Sequence, residues 1–143
     1  MYPTWAATAV AVTFVWLGMV LAISFLEAPL KFRAPGVTVP VGLGIGRLVF
    51  RALNLVEAAL ALAVVAAVLA GDPPGRVVGP VAAVAVLFLA QLLVVRPRLN
   101  RRSDRVLAGE DAPRSRDHLY YVALEVAKVA ALIALGVGLL TVR

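Results

Sequence analysis

The chain contains no cysteine. This excludes disulfide staples, iron–sulfur ligation, thiolate zinc sites and c-type haem attachment. It contains one histidine, His118, so no haem can be held between two histidines of one chain. No Ser/His/Asp set and no metal-ligand set can be assembled from these residues, and no nucleophile stands beside a base. Hydrolytic or redox chemistry carried by the chain's own side chains is therefore not expected, and neither is a cofactor or metal. Charge is sparse, at 15% of residues, and acid is the scarcer sign, with 8 Asp and Glu against 14 Lys and Arg. The basic residues flank apolar runs, so topology explains them and no nucleic-acid partner is expected.

Apolar sequence is what the chain has in quantity. Of its 143 residues, 62% are hydrophobic, and the mean hydropathy is +0.96. The apolar residues form four runs, each near or above the ~20 residues that cross a bilayer. The expected fold is all-α: a bundle of four transmembrane helices forming one integral membrane domain over residues 1–143, with helices at about 4–27, 39–70, 77–96 and 118–142. The segment Met1-Tyr2-Pro3-Thr4-Trp5 has no basic stretch, and no small-residue cleavage site follows the first run, which reads as a retained helix. Pro29 predicts a helix end nearby. Gly71-Asp72-Pro73-Pro74-Gly75 is a strong break after the second run. Residues 99–117 read as a polar, basic loop.

Lys31, Arg33, Arg47, Arg51, Arg96, Arg98, Arg101, Arg102, Arg105, Arg114, Arg116 and Lys128 belong to one side of such a bundle, and only Arg76 and Arg143 to the other. Twelve against two is a decisive positive-inside bias. Both termini are expected on the non-cytoplasmic side.

Gly46-Arg47-Leu48-Val49-Phe50-Arg51-Ala52-Leu53-Asn54-Leu55-Val56-Glu57 is the most polar stretch of any run. At about 100° per residue, Arg47, Arg51, Asn54 and Glu57 share one face of the second helix. Glu57 lies about 9 Å inside the inner boundary, counted from Arg51 at 1.5 Å per residue. Lys128 reaches a matching depth on the fourth helix, where His118, Tyr121, Glu125 and Lys128 also share a face. Gln91 stands at comparable depth on the third helix, and Glu27 closes the first. All four helices thus bring polar groups to the cytoplasmic half, while the outer half is plain hydrocarbon. A path across the whole membrane would spread polar residues along its length. This pattern describes a pocket that opens only inward, with Arg47, Arg51, Asn54, Glu57, Gln91, Tyr121, Glu125 and Lys128 as ligand- or partner-binding residues. The same pattern also fits an interhelical ion-pair staple with arginines snorkelling to lipid phosphates.

Ser24-Phe25-Leu26-Glu27-Ala28-Pro29-Leu30-Lys31-Phe32, Gly46-Arg47-Leu48-Val49-Phe50, Arg96-Pro97-Arg98-Leu99 and His118-Leu119-Tyr120-Tyr121 carry a resemblance over most of the chain. In them the chain resembles small bacterial four-helix membrane proteins distantly like the copper-resistance-D-like superfamily. The resemblance implies the bacterial cytoplasmic (inner) membrane and an association with metal or haem handling. A second resemblance is carried by Arg51-Ala52, Asn54 and Glu57, which look like the helix-two signature of the membrane-associated eicosanoid and glutathione family (MAPEG). The arginine stands one residue closer to the asparagine than in that family. This resemblance implies a trimeric glutathione-dependent transferase with Arg51, Asn54 and Glu57 holding glutathione. The function expected first is a non-enzymatic binding, transport-related or complex-accessory subunit. Its partners would be membrane lipids and either further copies of itself or a larger membrane complex.

Overall fold

A computed structural model describes residues 1–110 and 116–143. It is a bundle of four antiparallel helices, each long and apolar enough to cross a membrane: α1 (Thr4–Arg33), α2 (Val39–Ala70), α3 (Gly75–Leu107) and α4 (Arg116–Leu140). No strand occurs among the described residues. Helix α1 packs against α2 and α4, α3 packs against α4, and α2 meets α3 chiefly through the basic second half of α3. One end of the bundle holds both termini and the loop at Gly71; the opposite end holds most of the basic residues.

Prolines shape two of the helices without ending them. Proline lacks an N–H and its ring crowds the carbonyl four residues back. In α1 a π turn at Leu21–Glu27 widens the ladder just before Pro29, and helix continues through Lys31–Arg33. In α3 a π turn at Gln91–Val95 precedes Pro97, and helix continues to Leu107. Two expectations are thereby corrected: Pro29 does not close the first helix at 27, and residues 99–107 are helical where a loop was expected. Residues 111–115, which include Arg114 of the basic count, lie outside the described residues. Helix α2 starts at Thr38, whose Oγ1 accepts from the Val41 N–H at 3.3 Å.

Close approaches lock the ends of the bundle. Trp5 of α1 lies over Gly71, where an added Cβ would stand 2.3 Å from the indole. Pro80 deprives the Arg76 carbonyl of its helical donor, and α4 crosses against that carbonyl at Gly138, where a Cβ would stand 2.7 Å from the oxygen. Tyr2 Oη donates to the Leu139 carbonyl at 2.6 Å. At the basic end, Gly42 and Gly46 are buried and receive Phe32 and Lys31 of α1.

The apolar core is built from Ala6, Ala9, Trp16 and Val20 of α1, Val64 and Val68 of α2, Val77, Val84 and Phe88 of α3, and Leu132, Leu135 and Leu139 of α4. Large apolar side chains also face outward, as lipid contact requires. On α2 the outward face has a strict period. Leu48, Leu55, Leu62 and Leu69 recur every seven residues and stay 70–78% exposed, with exposed Ala52, Ala59 and Ala66 between them.

Candidate functional site

Six side chains from all four helices meet inside the bundle. Lys128 of α4 is at the centre and is fully buried. Its ammonium lies 2.6 Å from Glu57 Oε2, 2.9 Å from Gln91 Oε1 and 2.6 Å from Glu125 Oε1. The contacts to Glu57 and Gln91 are hydrogen bonds, and the one to Glu125 is an ion pair without hydrogen-bond geometry. Trp16 Nε1 donates to the same Glu57 oxygen at 2.8 Å, and Ser24 Oγ donates to Glu125 Oε2 at 3.0 Å. Gln91 Nε2 reaches the Tyr121 carbonyl at 3.5 Å. The Phe88 ring closes the apolar side, 5.6 Å from the ammonium and edge-on to Trp16.

The local conformation of α1 and α3 helps place these groups. Ser24 and Gln91, the two neutral polar side chains, each sit in one of the π turns. A π turn rotates a residue out of the regular α-helical register. Trp16 is held at the depth of Glu57 by its ring packing, and a buried indole N–H requires an acceptor.

Next to this cluster, toward the basic end, lies a cavity of about 410 Å³. Glu125 lines it; Glu57, Gln91 and Lys128 do not. Cationic wall groups come from Lys31 of α1, Arg47 of α2, and Arg96 and Arg102 of α3, and His118 of α4 also lines it. Phe25, Phe32, Phe50 and Tyr121 supply an aromatic wall. Arg47 is ion-paired with Asp104, and Lys31 lies 3.7 Å from Glu27. Arg96 is different. Its guanidinium lies against the rings of both Phe50 and Tyr121, 4.6 and 4.5 Å from their centroids, and its Nε is buried with no hydrogen-bond partner. The two rings are edge-on to each other at 5.9 Å, and the guanidinium sits in the corner they form.

The expected site residues therefore divide. Glu57, Gln91, Glu125 and Lys128 form the buried network. Tyr121 and Arg47 line the cavity together with Glu125. Arg51 is exposed on the outer surface of α2, and Asn54 is half-buried outside the cavity wall. Arg51, Asn54 and Glu57 do not converge on one space, because Glu57 is sealed in the ion network. Sequence reasoning missed Trp16, Ser24 and Arg96. An indole in mid-run was a signal for the first. Nothing in the sequence marked Arg96 apart from the arginines that set topology. The chain matches no protein-family model, no curated protein and no solved structure.

Proposed function

We propose that this chain is a multi-pass inner-membrane binding protein whose cavity opens on the cytoplasm and receives an anionic oxygen group carried on an apolar body. The observation that carries this reading is Arg96. Arg96 places a charged guanidinium, held in the corner formed by two rings, on the cavity wall, where a phosphate or carboxylate oxygen would pair with it. The surrounding cations favour the same sign of ligand, and the aromatic wall favours an apolar body beside it. The charge bias of twelve basic residues against two supports a cytoplasmic opening. A phospholipid headgroup and a soluble phosphate share the chemistry that this wall would bind.

Self-association is part of the proposal. Copies in one membrane share one orientation, so paired α2 helices run parallel. A seven-residue repeat sustained from Leu48 to Leu69 is the period of helix pairing, with alanines allowing close approach.

Equilibrium binding of dihexanoyl phosphatidate and of inorganic phosphate to the purified protein tests the reading. Phosphatidate binding that falls at least tenfold in Arg96→Gln, with Arg96→Lys intermediate, supports it. Binding of phosphatidate alone points to a lipid, and binding of phosphate as well points to a soluble anion. Binding of neither contradicts it.

A further inference from the structure

The four helix seams around the cavity are not closed alike. Between α1 and α2, Phe32 and Lys31 pack over Gly42 and Gly46. Between α2 and α3, the second half of α3 lies on α2, and Arg47 pairs with Asp104. Between α3 and α4, contact runs on through Gln91–Val95 and into Arg96–Leu107. The seam between α1 and α4 differs. These two helices pack along Thr4–Val20, and beyond Val20 their contact is sparse among the described residues. There α1 enters its π turn, and its end leans on α2 instead. The Ser24–Glu125 hydrogen bond spans the seam beside the ion network. Toward the basic end, both edges of the seam are apolar and open. Phe25 and Pro29 on α1 and Val122 on α4 line the cavity and are exposed. Their neighbours continue outward. Leu26 follows Phe25, Leu119 and Val126 share a face of α4 with Val122, and all three are 53–64% exposed. An opening with such edges costs less against acyl chains than against water.

We infer that the α1–α4 seam is a lateral portal, through which an anionic glycerolipid enters from the membrane, its headgroup in the cavity and its acyl chains left outside. The inference rests on the anion-binding reading above and commits it to a membrane lipid. Size points this way. The cavity, at about 410 Å³, is at the small end of ligand pockets. It has room for a phosphate and a glycerol, and not for two long acyl chains as well. Chains left outside need an exit that does not set them against water, and the apolar edges of the α1–α4 seam supply one. Charge points the same way. Helices α2 and α3 form the walls across from the seam, and from them Arg47, Arg96 and Arg102 face the cavity. A lipid entering between α1 and α4 therefore brings its anionic end to the cations and trails its apolar body toward the opening. Along the seam the order is also right. Val122 stands about 9 Å nearer the basic end than Lys128, at 1.5 Å per residue, so the opening lies on the headgroup side of the sealed ion network. A lipid without an anionic group gains nothing from the far walls and is not retained.

Photolabelling of the whole protein in phosphatidylcholine vesicles tests the portal. The probe is a long-chain phosphatidate with a diazirine near the glycerol end of one acyl chain. Adducts mapped by peptide mass spectrometry should fall on Phe25, Pro29 or Val122. Excess unlabelled phosphatidate should suppress them, and diacylglycerol with the same chains should not. Adducts on the outward Leu55 and Leu62 of α2 report ordinary lipid contact and should resist both competitors. Val122→Trp should lose most of the seam labelling, and Val126→Trp should label as wild type does. The competition needs no substitution, so a variant that fails to fold does not mask the result. Seam labelling that diacylglycerol suppresses equally overturns the portal, since the anion then plays no part. Arg96-dependent phosphatidate binding with no suppressible adduct at the seam overturns the portal and leaves the anion reading standing. Inorganic phosphate that binds as tightly as phosphatidate does the same, because it marks a soluble ligand. Absence of any Arg96-dependent binding overturns both.

Discussion

Lys128 Nζ lies 2.6 Å from Glu57 Oε2, with both side chains sealed inside the bundle. Because Glu125 stands equally close to the same ammonium, the network is a triad, and its energetics follow from that. Lys128→Met leaves two buried carboxylates facing each other and should cost about 3–5 kcal/mol of unfolding free energy. Adding Glu57→Gln still leaves Glu125 unpaired, so the double variant should recover only part of that loss. The triple variant Glu57→Gln, Glu125→Gln, Lys128→Met should be the most stable of the three, since it leaves no buried charge. Reversible unfolding in mixed micelles measures all of them on one scale.

The crossing of α3 and α4 at Arg76 and Gly138 gives a matched pair of glycine substitutions. Gly138→Ala sets a methyl 2.7 Å from a backbone oxygen that cannot swing aside. It should lose about 1–3 kcal/mol. Gly79→Ala meets nothing within 4 Å and should be neutral or gain up to about 1 kcal/mol from helix propensity. Thermal unfolding midpoints separate the two outcomes.

Gly42 reports on the cavity rather than on stability alone. A Cβ there would stand 2.1 Å from the Phe32 ring, and Phe32 lines the cavity. Gly42→Ala should therefore displace the ring and weaken phosphatidate binding several-fold, on the order of 1 kcal/mol. Gly44→Ala, with open space around it, should bind as wild type does.

The absence of native cysteine makes pairing of α2 simple to measure. Ala59→Cys places a thiol in the middle of the outward seam between Leu55 and Leu62. In native membranes an oxidant should give a cross-linked dimer. The same substitution at Ala63, which is less exposed and off the seam, should give little. Equal cross-linking at both positions would count against the seam.

The helices were legible because length and apolarity alone decide whether a segment can span a membrane. The cluster was half-legible for a related reason. Depth is a linear function of residue number along a helix, so Glu57 and Lys128 could be matched across two helices. Rotation was harder to read. The Arg47, Arg51, Asn54 and Glu57 arc is wide, and the bundle buries only one edge of it, leaving Arg51 exposed outside. The π turns before Pro29 and Pro97 shift register by an amount that periodicity does not reveal. They also carry helix past both prolines, which is how Arg102 comes to line the cavity from a helix rather than a loop. The Phe50–Arg96–Tyr121 contact joins three helices, and no sequence spacing encodes such a meeting.

Native mass spectrometry of the protein, extracted gently from its own membrane without added ligand, tests the central claim most directly. Wild type should carry a retained anionic species, and Arg96→Gln should lose it while keeping the same oligomeric state. Retention of the same species by Arg96→Gln, or a wild-type protein that retains nothing and gains no mass with dihexanoyl phosphatidate, would contradict the account.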